Sequence, residues 1–126
     1  MGQIKKKINN RNTQPLVVKH RHFLNFFSKL SPAKRKKLTS TLIKDQVHTI
    51  SEICQNFLKK KIPCDSARLK QLKSYREEIH NLARKRVPLY KKKKLMKSSR
   101  GGALLNVLLP LAATVISSLL SRSYAK

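Results

Sequence analysis

The sequence has few glycines and few cysteines, and each shortage excludes a class of function. Its three glycines are Gly2, Gly101 and Gly102, so the chain between the first two has no glycine-rich loop to cradle phosphates. The two cysteines, Cys54 and Cys64, lie ten positions apart without CxxC spacing, which does not indicate a disulfide framework. We expect two reduced thiols and no phosphate-loop enzyme.

Residues that bind metals or perform catalysis are also sparse. His20 and His22 form an isolated HxH pair without a second pair of ligands, so no metal site is predicted. A pairing of Cys54 with His80 has no third group to orient the base. We therefore predict a protein that is not an enzyme, with no catalytic residues and no cofactor.

Acidic residues are the scarcest charged class. Five Asp and Glu stand against 30 Lys and Arg, giving a formal net charge of +25. Self-repulsion at this charge density destabilises a compact state unless a polyanion neutralises it. Nucleic acid is the first candidate partner, and an anionic membrane surface is the second.

The cations are concentrated in three runs. Such runs neutralise phosphates and release condensed counterions without reading bases, and no set of side chains here indicates sequence-specific readout. The predicted nucleic-acid-binding residues are Lys34, Arg35, Lys36, Lys37, Arg84, Lys85, Arg86, Lys91, Lys92, Lys93 and Lys94.

Apolar residues recur at helical spacing between prolines, and no segment alternates like a strand. The predicted helical faces are Phe23, Leu24, Phe26, Phe27 and Leu30; Ile43, Val47, Ile50, Cys54 and Phe57; and Leu69, Leu72, Tyr75, Ile79 and Leu82. Ser31-Pro32 and Asp65 or Ser66 are predicted helix starts, and a basic helix is expected from Pro88 to about Lys97. At Thr39-Ser40-Thr41 the chain either continues as a helix or breaks. The second and third faces are expected to pack as an antiparallel hairpin.

The predicted fold class is all-α: a small helical hairpin or bundle with a disordered basic N-terminal arm and a hydrophobic C-terminal helix. Five segments follow from composition. They are a disordered arm (1–18), a basic helical domain (19–98), a Gly-Gly hinge or processing seam (99–102), a hydrophobic helix (103–121) and a basic tail (122–126).

The C-terminal segment is uncharged from Gly101 to Ser121. Residues 103–120 reach the lower length limit for a helix that spans a bilayer. A narrow stripe of polar residues and one proline, typical of a helix that self-associates or lies in an interface, runs along it. The stripe consists of Asn106, Pro110, Thr114, Ser117 and Ser121. Spanning and interfacial locations both remain open.

Four features occur in a characteristic order: Ile62-Pro63 before a basic helix, Arg84-Lys85-Arg86-Val87, the lysine run, and Gly101-Gly102 before an apolar tail. From about Leu30 to Leu120 the chain resembles the small basic proteins of Polinton/Maverick virus-like elements. It is similar, more loosely, to the precursor of the adenoviral core protein mu.

The resemblance implies a minor virion or core component whose basic part binds and condenses double-stranded DNA. It also implies release of the tail by a viral cysteine protease at Gly101-Gly102. Adenoviral-type sites have Met, Ile or Leu two residues before the Gly-Gly, and this chain has Ser99 there.

We therefore predict a sequence-independent nucleic-acid-binding core or capsid-associated protein, located in the virion or host nucleus. Its partners would be double-stranded DNA, a membrane through residues 103–121, a viral protease and capsid proteins. The alternative is a tail-anchored membrane protein with a cytoplasmic N-terminus and polybasic body. A third reading is a membrane-disrupting peptide freed at Gly102.

Overall fold

The structure is a computed structural model that describes residues 15–60, 62 and 64–124, with the backbone alone at 113–115 and 117–124. Within these ranges every regular element is an α-helix, which confirms the all-α class. The helices are α1 (Leu16–Lys19), α2 (Arg21–Lys29), α3 (Pro32–Thr39), α4 (Lys44–Leu58), α5 (Ser66–Lys73), α6 (Arg76–Ala83), α7 (Leu89–Lys97) and α8 (Ser99–Tyr124).

Two of the predicted helix starts are capped as expected. The Ser31 hydroxyl accepts a hydrogen bond from the Lys34 N–H at 3.3 Å, and Pro32 occupies the first turn. The Asp65 carboxylate accepts from the Arg68 N–H at 2.7 Å. Each cap satisfies one of the backbone donors that a helix start leaves without a partner.

The core forms around α4, whose buried side includes Val47, Ile50 and Cys54. This helix packs most extensively against α6, and also contacts α1, α7 and α8. Three residues of the predicted faces lie outside the core instead. The exposed fractions are 56% for Phe26, 60% for Ile43 and 37% for Leu69.

The structure decides one question that the sequence left open and corrects one predicted helix. The chain breaks after Thr39, so α3 and α4 are separate helices. The single helix expected from Leu69 to Leu82 is wrong, because the chain leaves helical geometry at Tyr75, where φ is −108° and ψ is 21°. The Ser74 hydroxyl donates to the Gln71 carbonyl at 2.6 Å and so competes with continuation of the helix.

Residues 16–18, predicted as part of a disordered arm, belong to helix α1. Val17 and Val18 are buried in α1, and the Glu52 carboxylate accepts hydrogen bonds from the N–H groups of Leu16 and Val17 at 3.2 and 2.9 Å. A negative charge at a helix start is stabilising, because the first N–H groups and the helix dipole both favour it. Residues 1–14 of the predicted arm lie outside the described residues.

The C-terminal helix is the element that connects the fold. It contacts every other helix in the described part of the chain. Its first half contributes a set of fully or almost fully buried side chains: Leu104, Leu105, Leu108, Leu109, Leu111 and Ala112. In the described residues no helix combines the length and apolarity needed to cross a membrane. The prediction of a separate hydrophobic helix over 103–121 is thus corrected, because these leucines complete the core.

The predicted seam lies inside this helix. Gly101 and Gly102 belong to its first turn, and Gly101 is buried. The backbone helix continues to Tyr124, so it includes the first three residues of the predicted basic tail. The last two lie outside the described residues.

Candidate nucleic-acid interface

The eleven predicted phosphate-binding residues separate by exposure. Eight are exposed: Lys34, Lys36, Lys37, Arg84, Lys85, Arg86, Lys91 and Lys94. Lys93 is half-buried, whereas Arg35 and Lys92 are buried, with exposed fractions of 7% and 2%. Exposure therefore divides the two helical runs residue by residue, because successive side chains of a helix point about 100° apart around its axis.

The turn between α6 and α7 forms a basic concave surface. Arg84, Lys85 and Arg86 line it together with Val87, Pro88 and Lys91, and it encloses about 640 Å³. The turn is short, since the Val87 N–H reaches the Arg84 carbonyl at 3.4 Å and Pro88 then caps α7. Four of its six lining residues are cations, and none is acidic. We call it the basic concave surface.

The first and third basic runs lie on helices that pack against each other. Lys93 donates to the Ser40 carbonyl at 3.3 Å, and Lys97 donates to the Ser40 hydroxyl at 3.0 Å. Both cations sit at the C-terminal end of α3, where the helix dipole favours positive charge. These contacts hold α7, which carries Lys91 and Lys94, beside α3 and its exposed lysines.

Sequence reasoning missed Lys97, which Leu95 and Met96 separate from the lysine run. The signal was available, because Lys93 and Lys97 are four residues apart and share one face of a helix. Sequence reasoning also missed Asn106 as a hydrogen-bond partner of Arg35. It was assigned to a polar stripe in the tail, and its amide oxygen instead accepts from Arg35 Nη1 at 2.9 Å.

Lys92 points into the core rather than towards solvent. Its ammonium group donates to the Ser51 hydroxyl at 2.9 Å, and no carboxylate in the described residues lies within ion-pair distance of it. Burial lowers the pKa of Lys92. Burial and the nearby Lys92 charge also lower the pKa of His48. This lysine contributes positive potential to the region without being available to solvent.

Arg35 is held between α3 and α8. Besides Asn106, its guanidinium donates to the Leu30 carbonyl at 3.1 Å, while its Nε is buried with no hydrogen-bond partner in the described residues. Burial lowers the pKa of Arg35, although a guanidinium stays charged at any physiological pH. The first basic run thus supplies three exposed lysines and one buried arginine.

Three of the five acids have structural partners, and one of them, Glu52, also lines a small cavity together with Lys85 and Lys92. Glu52 and Asp65 bind helix starts, as described above. Glu78 pairs with Arg100 at 2.9 Å, the one ion pair among residues with described side chains. Arg100 also lies over the Tyr75 ring, 5.1 Å from its centroid. Among the described side chains, no acid forms an ion pair with a cation of the three basic runs.

The chemistry of the remaining polar groups is limited. Burial raises the pKa of the Cys54 thiol to about 12, so the thiol is protonated at neutral pH. Among the side chains described, no three His, Cys, Asp or Glu residues are close enough together to hold a metal ion. No protein-family model, curated protein or solved structure matches the chain.

Proposed function

We propose that the protein binds nucleic acid without sequence preference, by neutralising phosphates with exposed lysine and arginine side chains. The observation that carries the proposal is the basic concave surface, where three consecutive exposed cations and Lys91 face one hollow with no acid among the lining residues. The exposed cations of α3 lie on a helix packed beside α7 and extend the charged area.

The binding energy would come from counterion release. Each phosphate that a cation neutralises frees condensed counterions, so affinity falls linearly with salt on a double-logarithmic scale, by about 0.9 per contact on duplex DNA. Flexible lysines and arginines suit this role because they reach phosphates without a fixed geometry for any base. Double-stranded DNA is the proposed partner.

We further propose that the protein is a minor core or capsid-associated component of a virus or virus-like element, located in the virion or host nucleus. The order of basic runs, Gly101-Gly102 and tail supports this resemblance. The buried half of α8 is assigned to the fold, because its leucines pack against the other helices. Membrane anchoring and cleavage at Gly101-Gly102 remain alternatives for the tail.

The first test is the salt dependence of binding by full-length protein to a labelled DNA duplex, measured by fluorescence anisotropy. With six to ten phosphate contacts, affinity should fall about 10³–10⁵-fold between 50 and 200 mM salt. Two duplexes of equal length and unrelated sequence should bind equally. A shallow salt slope, or strong preference for one duplex, contradicts the proposal.

A matched pair of variants then locates the interface. The first neutralises the basic concave surface through Arg84→Gln, Lys85→Gln and Arg86→Gln. The control removes the same charge from α5 through Arg68→Gln, Lys70→Gln and Lys73→Gln, all at exposed positions. The first variant should reduce the salt slope by up to about 2.7 and the control by clearly less. Equal losses would mean that binding depends on net charge alone.

Cell fractionation separates this proposal from the membrane alternative. Full-length protein expressed in animal cells is extracted in parallel with high salt and with alkaline carbonate. Release by salt from a nuclease-sensitive nuclear pellet supports nucleic-acid binding. Resistance to both treatments in a membrane pellet supports the tail anchor and contradicts the proposed role.

A further inference from the structure

We infer that the cavity between α3 and the start of α8 is a phosphate-binding site formed by Arg35, Lys36 and Lys97. This site is separate from the basic concave surface, and the inference does not rest on the proposed function. The ligand class is a phosphate group, either free or as a phosphate ester, because those forms present the same anionic oxygens.

The cavity encloses about 470 Å³, within the range of small-molecule sites. Its walls are α3, the end of α7 and the first turns of α8. Three of its lining residues are cations, and no lining residue is acidic. Polar groups around the cations include the hydroxyl of Ser99, which can donate to a phosphate oxygen.

Arg35 is the first observation that points to an anion. Only 7% of its surface is exposed, and its charge has no carboxylate partner in the described residues. Its two terminal nitrogens bind neutral oxygens, and its Nε has no partner among the described residues. A buried charge is costly without an opposite charge, so a bound anion would stabilise this arrangement.

The start of α8 is the second observation. This helix is 26 residues long, and its first turn contains no acid to offset the positive end of its dipole. The Ser98 hydroxyl accepts from the Gly101 N–H at 3.0 Å, which satisfies one of the initial donors. Anions bind at such positions because the remaining N–H groups and the dipole favour negative charge.

Lys36 and Lys97 increase the positive potential in the cavity. Lys97 comes from α7, where its contact with Ser40 holds it near α3. Like charges brought together on two packed helices repel one another, and an anion of two negative charges relieves this repulsion. The site thus combines a buried guanidinium, two lysines and a helix start, all on described elements.

Gly102 permits a test that changes no charge. It lines the cavity, and a Cβ added there would have Met96 O as its nearest neighbour, at 3.9 Å. Gly102→Ala should leave the cavity open, whereas Gly102→Leu should fill part of it. Both variants are checked by circular dichroism and thermal unfolding before any ligand is added.

The experiment titrates inorganic phosphate into full-length protein at constant ionic strength, balanced with chloride, and follows the backbone amide signals of Ser99 and Ala103 by NMR. Wild type and Gly102→Ala should show a saturable response, and Gly102→Leu should bind roughly tenfold or more weakly. If Gly102→Leu does not fold, Lys97→Gln replaces it, with Lys94→Gln as the control of equal charge. Equal responses within either pair overturn the inference.

A second arm identifies the source of the phosphate. A single-stranded oligonucleotide is added with and without a terminal phosphate, to wild type and to the Arg84, Lys85 and Arg86 glutamine variant. If the Ser99 and Ala103 signals respond only to the oligonucleotide with a terminal phosphate, and Gly102→Leu abolishes this response, the cavity binds the terminal phosphate of a nucleic acid. Persistence of that response in the glutamine variant separates the site from the proposed interface. No saturable response in either arm overturns the inference.

Discussion

The ammonium group of Lys92 donates a hydrogen bond to the Ser51 hydroxyl at 2.9 Å in the interior of the bundle. This lysine is the second of four consecutive lysines. Lys91 and Lys94 of the same run are exposed to solvent, whereas Lys92 is buried. Lys92 and Met96 occupy the buried face of α7, four residues apart. One sequence run therefore contains both exposed cations and a buried polar group.

Lys92→Met should leave the free energy of unfolding unchanged or raise it by up to about 2 kcal/mol. Methionine retains the length of the side chain and removes the cost of burying a charge. The Ser51 hydroxyl keeps a partner, because it also donates to the Val47 carbonyl at 3.3 Å. Urea denaturation measures the effect.

Lys91→Met is the control for that experiment. Its side chain is exposed, so the free energy of unfolding should change by less than about 0.5 kcal/mol. The effect on DNA affinity should be the opposite of the effect on stability: Lys91→Met should weaken DNA binding more than Lys92→Met does. A larger loss of affinity with Lys92→Met would contradict the inward position of this lysine.

The Glu78–Arg100 pair predicts a loss of stability in acid. The hydrogen bond from Arg100 lowers the pKa of Glu78 below its usual 4.5. A carboxyl with a lowered folded-state pKa stabilises the fold above its unfolded-state pKa, and this contribution is lost as pH falls through the folded-state value. Thermal unfolding followed from about pH 6 down to about pH 3 should show the loss.

Glu78→Gln should flatten this part of the pH profile, whereas Glu77→Gln at the exposed neighbouring position should not. Both variants add the same charge change to the chain, so the difference between them isolates the pair. Identical profiles for wild type and Glu78→Gln would show that the pair contributes nothing measurable.

The two adjacent glycines should respond oppositely to alanine. A Cβ at Gly101 would collide with the Leu95 carbonyl, whose carbon would lie 2.7 Å away, so Gly101→Ala should destabilise the fold by about 1–3 kcal/mol. At Gly102 the same atom makes only an ordinary van der Waals contact, 3.9 Å from the Met96 carbonyl oxygen, and alanine should stabilise the helix by about 0.5–1 kcal/mol. Thermal denaturation of the two variants measures this difference. Equal shifts would argue against the close approach of Leu95 to Gly101.

The leucines of α8 provide a test of its role in the fold. Leu108 is fully buried, so Leu108→Ala should destabilise the protein by about 2–5 kcal/mol, through lost burial and the cavity that remains. Leu69→Ala is the control, because Leu69 is 37% exposed and should cost clearly less. Urea denaturation in the absence of lipid measures both. A negligible effect of Leu108→Ala would mean that the tail does not belong to the core.

The sequence by itself determined the helical class, several helix starts and the excess of positive charge. Ser31 was identifiable as a cap and the next cap as Asp65 or Ser66, because such side chains accept from a backbone N–H two or three residues on. The structure selects Asp65 of the two. The core positions of Val47, Ile50 and Cys54 were likewise evident, since helical periodicity alone puts them on one face. These are local properties, and they depend on neighbours within about one helical turn.

Only the tertiary structure decided which cations are exposed. Lys91 and Lys92 are adjacent residues of one lysine run, and their environments differ because α4 packs against one side of α7. Arg35 is buried where α8 packs against α3, and it donates to Asn106, which lies 71 residues later in the chain. The same holds for the tail: an uncharged segment fits a membrane or a core, and packing against all the other described helices made it core. Such contacts join residues far apart in the chain, so sequence periodicity contains no information about them.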